Sequence, residues 1–212
     1  MPVRRIPPSR RSITGRLAGL KNVGPAQYES ALERDFLISL EADAAVMSYE
    51  IQPLSLQYRD STGRGRTYTP DVLVVRKGQI WELCEVKYAA DIQKLRAEHR
   101  ERWLAAHRHC QESGWRFLLI TEHHARTIRT RNWLFLSGFR VLSFPAGLLN
   151  GLVERVVRGG PMSVADWAAQ SGVSQAEVLP ALWHLLCTGR VVVAMDEPLS
   201  LRSEVQVEVG HD

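Results

Sequence analysis

Cysteine is scarce in this sequence. Cys84, Cys110 and Cys187 are the only three among 212 residues, odd in number and widely spaced. That excludes a disulfide-stapled scaffold and points to buried thiols in a reducing, cytoplasmic compartment. Long apolar runs are missing as well: no stretch is long enough to span a bilayer, and no apolar core follows the basic N-terminus as it would in a secretory signal. There is no internal repeat and no low-complexity tract. Acidic residues are absent from residues 1–27, which hold Arg4, Arg5, Arg10, Arg11, Arg16 and Lys21 together with four prolines. The expectation is a basic arm of little intrinsic structure that contacts phosphates, with a solvated tail as the alternative. The formal net charge is only +4, so the bias is local. Glu204, Glu208 and Asp212 make the other end mildly acidic, and a DNA contact there is not expected. With 45% hydrophobic and 24% charged residues, the composition is that of an ordinary globular chain, with room for one medium core and a small second domain.

From Tyr28 the pattern becomes regular. Leu32, Phe36, Leu37 and Leu40 recur at helical spacing, and Ser30 with Glu33 forms a capping-box signature, so a helix is expected up to Ala42–Asp43. Short strands follow over Val46–Ile51 and Leu54–Tyr58, then a turn at Ser61–Gly65 and a strand over Thr67–Arg76. Lys77-Gly78 reads as a tight hairpin turn and Gln79–Lys87 as the return strand. A long amphipathic helix is expected from Asp91 to Ser113, closed by Gly114. Trp115–Thr121 is an almost continuous apolar run, read as a buried central strand. Residues 125–137 look helical, and Phe139–Phe144 reads as an edge strand. The order implies an α/β core with a mixed sheet. After Pro145, helices over Val164–Gln170 and Ser174–Cys187 flank Ser171-Gly172-Val173, and β-rich Val191–Val193 follows. That order predicts a small winged-helix domain, although Pro180 suggests a kink or a late start in its second helix. The expected division is an arm over 1–27, a first domain over 28–148 and a second over 149–212.

The candidate chemistry lies in Asp71 and in Glu85-Val86-Lys87. Strand residues two apart share a face, so Glu85 and Lys87 point the same way. The Lys77-Gly78 turn lays the Asp71 strand beside them, and Pro70 fixes the approach to Asp71. Asp71 and Glu85 offer hard oxygen ligands suited to Mg²⁺. Such an ion acidifies water and offsets charge on a scissile phosphate. Lys87 is placed to orient or deprotonate that water, or to stabilise the phosphate. Glu33 approaches from the preceding helix. The alternative is a surface hairpin whose charges face water. Against it, Glu85 and Lys87 continue the half-buried row of Trp81 and Leu83, where a charge needs a reason.

The set Tyr28–Leu37, Gln52-Pro53, Tyr68-Thr69-Pro70-Asp71 and Glu85-Val86-Lys87 resembles the TnsA family, the endonuclease subunit of heteromeric transposases, over roughly residues 28–140. The arm motif Pro8–Gly15 is similar to the start of short TnsA proteins. The resemblance implies a restriction-endonuclease-like core of the PD-(D/E)XK type, with Glu33, Asp71 and Glu85 on the metal and Lys87 at the nucleophile. Some family members have glutamine at the position of Glu85. It further implies Mg²⁺ (with Mn²⁺ as a substitute), double-stranded DNA as substrate, and cutting at the 5′ ends of a mobile element. The implied partners are a TnsB-type transposase and a TnsC-type ATPase, the latter through the C-terminal domain. A stand-alone nuclease of the same fold and a non-catalytic adaptor remain the rival readings.

Other residues carry weaker signals. Glu29 and Gln52 are within reach of the same site, with structural roles as the alternative; Glu98 is a more remote candidate. His99, His107, His109 and Cys110 invite a zinc reading, but His107 and His109 diverge on a helix and no cysteine pair accompanies them. Arg126, Arg129 and Arg131 suit phosphate contacts, with a solvated helix face equally consistent.

Overall fold

The computed structural model describes residues 15–17, 20–24 and 26–207. Two units result, Met1–Arg126 and Thr127–Asp212.

In the first unit, β1 (Gly15–Leu17) pairs antiparallel with β2 (Ala26–Tyr28). Helix α1 (Ala31–Ala42) starts at Ser30, whose hydroxyl accepts the Glu33 N–H, and its buried face carries Leu32, Phe36, Leu37 and Leu40. The expected helix is therefore present with its expected cap. Lys21 closes the other end: its ammonium donates to the carbonyls of Leu40 at 3.1 Å and Asp43 at 2.6 Å. Cations at a helix C-terminus satisfy orphan carbonyls and the dipole together.

Strands β3 (Val46–Ile51), β4 (Leu56–Arg59), β5 (Gly65–Tyr68), β6 (Val72–Arg76) and β7 (Ile80–Val86) follow. Next come α2 (Ala89–Glu98), α3 (Arg100–Ser113), β8 (Arg116–Ile120) and the single turn α4 (Glu122–Ala125). The main sheet has the order β3-β6-β7-β8, antiparallel except for the parallel β7–β8 pair. One face buries Val72, Val74, Cys84, Val86 and Ile120 against α1; the other buries Leu73 and Leu83 with Trp103, Ala106 and Cys110 of α3. Strands β4 and β5 form a separate two-stranded ribbon.

Several expectations are corrected. The single strand expected over Thr67–Arg76 is two strands, because Pro70 has no N–H to give a ladder; β5 pairs with β4, and β6 with β3 and β7. The helix expected over 91–113 breaks at His99 and closes at Gly114, whose φ of 71° suits glycine. Strand β8 lies at the sheet edge rather than its centre. Its apolar run comes from being covered on both faces, with Leu118 and Ile120 toward one core and Phe117 and Leu119 toward the other. No helix among the described residues is long and apolar enough to cross a membrane.

The second unit comprises α5 (Ile128–Ser137), α6 (Ala146–Gly159), β9 (Met162–Ser163), α7 (Val164–Ala169), α8 (Gln175–Cys187), β10 (Val192–Val193) and β11 (Glu204–Gln206). Its antiparallel sheet has the order β10-β11-β9. Trp167 is fully buried at the centre and donates its indole N–H to the Leu152 carbonyl at 2.8 Å. Helix α8 begins ahead of Pro180, not after it. Residues 139–141 form a turn and 142–144 an irregular stretch rather than an edge strand, and Phe139 and Phe144 pack against this unit's core. For the same reason residues 127–148, expected in the first domain, belong to the second unit. Cys84, Cys110 and Cys187 are free and buried.

Candidate active site

The β6–β7 hairpin sets the register of the site. Val72 pairs with Cys84 and Leu73 with Leu83, so one step further brings Asp71 opposite Glu85. The turn achieves this with Gly78 at φ 78° and Gln79 at φ 59°. Asp71 precedes β6, and its Oδ2 accepts the Val86 N–H at 2.7 Å. The next residue, Lys87, donates its backbone N–H to the Ile120 carbonyl at 2.9 Å, tying the end of β7 to β8.

The side chains then converge. The Lys87 ammonium lies 3.0 Å from Glu85 Oε1 and 3.4 Å from Asp71 Oδ2, so it bridges the two carboxylates. Glu85 is 2% exposed. A buried carboxylate needs partners, and it has three: Lys87, the Arg102 guanidinium at 3.1 Å, and the Tyr68 hydroxyl, which donates to Oε2 at 2.6 Å. Arg102 also stacks over the Tyr68 ring, 5.2 Å from its centre. Burial and the charge of Glu85 raise the Asp71 pKa well above the ordinary carboxylate range, outweighing Lys87 and the Val86 N–H. Burial alone would lower the Lys87 pKa; Asp71 and Glu85 outweigh it and hold the ammonium protonated. Lys87 thus enters the site as a cation.

These groups line a cleft of about 470 Å³ together with Glu29, Glu33, Gln52, Thr67 and Thr69. Glu33 therefore stands at the expected place, but its carboxylate is also the helix cap. Oε2 accepts the Glu29 N–H at 2.7 Å and Oε1 accepts the Ser30 hydroxyl at 3.0 Å. Burial raises its pKa, with those two bonds in opposition. Glu29 sits before the N-cap rather than on the helix. Its Oε1 accepts from Gln52 Nε2 at 3.4 Å, which leaves Gln52 Oε1 buried with no partner. Gln52 adopts φ 48°, rare for a residue with a side chain, and its N–H donates to the Asp71 carbonyl at 2.8 Å. That hydrogen bond holds the strand end against Asp71.

Two residues of the site escaped the sequence reading. Tyr68 lies inside the Tyr-Thr-Pro-Asp run and carried a signal that was not used. Arg102 is one of several arginines on α2 and α3, and nothing in spacing separates it from the rest. Other candidates fall elsewhere. Glu98 is exposed and pairs with Lys94. The ring of His109 packs edge-on against Trp115 and that of His99 against Trp103; among the described residues no three His, Cys, Asp or Glu side chains gather as a ready metal site. Arg126 pairs with Asp35 at 2.7 Å, and Arg129 pairs with Asp196. Arg131 is exposed. Lys21 caps α1. Arg4, Arg5, Arg10 and Arg11 lie outside the described residues, as does the side chain of Arg16.

Residues 43–122 match the family model described as the TnsA-like endonuclease N-terminal domain. This stretch belongs to the TnsA-like endonuclease family. No curated protein matches the chain. The matched stretch of the TnsA-like domain contains Asp71, Glu85, Lys87, Tyr68 and Arg102, while Glu29 and Glu33 lie just ahead of it.

This cleft offers hard oxygen donors of the kind a divalent cation takes, although they do not gather as a ready metal site. Its lining has four carboxylates (Glu29, Glu33, Asp71, Glu85) against two cations, Lys87 and Arg102. The unpartnered Gln52 oxygen adds a neutral hard donor. Mg²⁺ needs only one or two carboxylates when phosphate oxygens and water complete its shell.

Proposed function

We propose that this chain is the Mg²⁺-dependent endonuclease subunit of a TnsABC-type transposase, hydrolysing phosphodiester bonds at the 5′ ends of a mobile element. The observation that carries this reading is the Asp71–Lys87–Glu85 cluster, held on paired strand ends inside an acid-rich cleft of a TnsA-like domain.

In this reading the core is restriction-endonuclease-like. Asp71 and Glu85, with Glu33 from the helix start, hold Mg²⁺ or Mn²⁺. Such an ion supplies charge neutralisation at the scissile phosphate and makes water a better nucleophile. Lys87, already cationic, orients the attacking water and stabilises the phosphate oxygens as charge builds. Tyr68 and Arg102 do not meet the substrate through Glu85; they fix its two oxygens so that the carboxylate keeps one orientation. Gln52 anchors the neighbouring chain at Asp71.

The second unit is read as a winged helix, from α7, the Ser171-Gly172-Val173 turn, α8 and the small sheet. Helix α8 carries no Arg or Lys, so it suits a protein partner better than base edges. A TnsC-type ATPase is the proposed partner there, and a TnsB-type transposase cuts the 3′ ends.

The test is 5′-end cleavage in a system reconstituted with the transposase and ATPase. Asp71→Ala and Lys87→Ala are each expected to reduce cleavage about 10²-fold or more. Unchanged cleavage would refute the catalytic assignment and leave an adaptor. Robust cutting by the purified chain alone would favour a stand-alone nuclease.

A further inference from the structure

The acid-rich cleft raises a problem of affinity. Without a metal ion, four carboxylates against two cationic side chains repel a polyanion, so a phosphate-binding surface beside the cleft would help to draw DNA in. The β4–β5 ribbon lies at its rim: Tyr58, Thr67 and Tyr68 all line it.

Alternate residues of an antiparallel ribbon share a face. The inner row, Leu56, Tyr58 and Tyr68, packs into the core beneath α3. The outer row is Ser55, Gln57 and Arg59 on one side and Thr69, Thr67 and Gly65 on the other, and all but Thr69 are exposed. The Ser55 and Thr69 hydroxyls are 3.2 Å apart, and Thr67 donates to Gln57 Oε1 at 3.1 Å. Arg59 donates to the Gly63 carbonyl at 2.9 Å, and Arg64 is exposed at the turn. The row itself holds no carboxylate; α3 brings Arg108 and Glu101 to the depression beside Gln57, Arg59 and Gly65, and Glu112 to the one beside Gln57. The one acidic residue of the ribbon, Asp60, is consumed within the turn by Thr62, the Arg64 N–H and Arg66. From Ser55 to Arg59 the row runs about 13 Å. It begins at Thr67 and Thr69 in the cleft wall and becomes more basic with distance from it.

Hydroxyls, amides and guanidinium groups on a rigid strand pair are the groups that contact DNA phosphates and sugars. We propose that the outer face of the β4–β5 ribbon is a track for the sugar–phosphate backbone of duplex DNA, feeding one phosphodiester to the cleft. The inference rests on the nuclease reading above. The ribbon supplies the attraction that the cleft lacks, and it does so without reading sequence.

The test is binding of the full chain to a short fluorescent duplex in chelator, across a salt series. Arg59→Ala with Arg64→Ala is expected to weaken binding about tenfold at low salt. The log–log salt slope should become shallower by about 2, one contact per arginine. At the exposed Gln57, where folding is not at stake, Gln57→Lys should tighten binding several-fold and Gln57→Glu should weaken it. Arg158→Ala, an exposed arginine of the second unit, should change nothing. If the ribbon variants bind as tightly as the wild type while the reconstituted system still cleaves 5′ ends, the track is refuted and the nuclease reading stands. A wild type that does not bind the duplex would refute the track, whereas the nuclease reading falls only if 5′-end cleavage in the reconstituted system survives Asp71→Ala.

Discussion

The Tyr68 hydroxyl donates to Glu85 Oε2 at 2.6 Å, linking the separate two-stranded ribbon to the main sheet. Burial and the Glu85 charge raise the tyrosine's pKa, so it remains a donor at any working pH. Tyr68→Phe removes that donor and little else. Its expected cost is about 1.5–3 kcal/mol, the range for a hydrogen bond to a charged group. Denaturant unfolding measures it. A cost near zero would mean that Lys87 and Arg102 satisfy Glu85 by themselves.

Asp71 gives a pH dependence with a definite sign. Its folded pKa is raised, so the folded state holds its proton more tightly than the unfolded chain. The stability tied to that proton is complete below the ordinary carboxylate pKa and is lost as pH rises through the raised value. In chelator, the wild type should melt lower at pH 8 than at pH 5. Asp71→Asn cannot titrate. It should narrow that difference and raise the melting temperature at pH 8, while abolishing cleavage. A variant less stable at pH 8 than the wild type would show that Lys87 and the Val86 N–H dominate instead.

Lys87→Ala leaves Asp71 and Glu85 facing each other without the bridging ammonium. Removing one partner of a buried ion pair costs about 3–5 kcal/mol; with Lys87 27% exposed, the low end is expected. Mg²⁺ should recover more of the melting temperature in this variant than in the wild type. Equal Mg²⁺ shifts in both would place the cation elsewhere.

Glu33 carries two roles that different substitutions separate. Glu33→Gln keeps a capping-box side chain but removes a charge from the cleft. Ser30→Ala keeps the charge and removes the cap, at about 1 kcal/mol. Cleavage should fall in the first with stability nearly unchanged, and the reverse should hold in the second. If both variants merely lose stability, Glu33 is only a cap.

In the second unit, buried Asn132 donates to the carbonyls of Met195 and Glu197 at 2.9 and 2.7 Å and accepts the Leu199 N–H at 3.2 Å. Asn132→Ala orphans these groups. A loss of about 2–4 kcal/mol is expected, read as a lower melting temperature of the full chain.

The sequence revealed those parts of the fold that local chemistry decides. Ser30 with Glu33 announced the start of α1, Lys77-Gly78 the hairpin, and Glu85-Val86-Lys87 the shared strand face. What it hid depends on three dimensions. Pro70 divides a run that alternates convincingly on both sides of it. The apolar run of β8 reads as central because both its faces are covered, although one edge is open. Lys21 looks like any other arm cation until α1 ends beside it. Arg102 stands seventeen residues beyond Glu85, and only the break at His99 and the packing of α3 bring it back to the strand end.

The bridge made by Lys87 has a consequence for specificity. If the proposed divalent ion binds between Asp71 and Glu85, it would have to compete with the Lys87 ammonium that already bridges them, tethered at a local concentration that no buffer can match. Protein ligands alone then make a weak cation site. Oxygen atoms brought by the phosphodiester tip the competition, so that cation and DNA load each other. On the proposed nuclease reading, such a site would stay quiet in the presence of magnesium until a phosphodiester arrives.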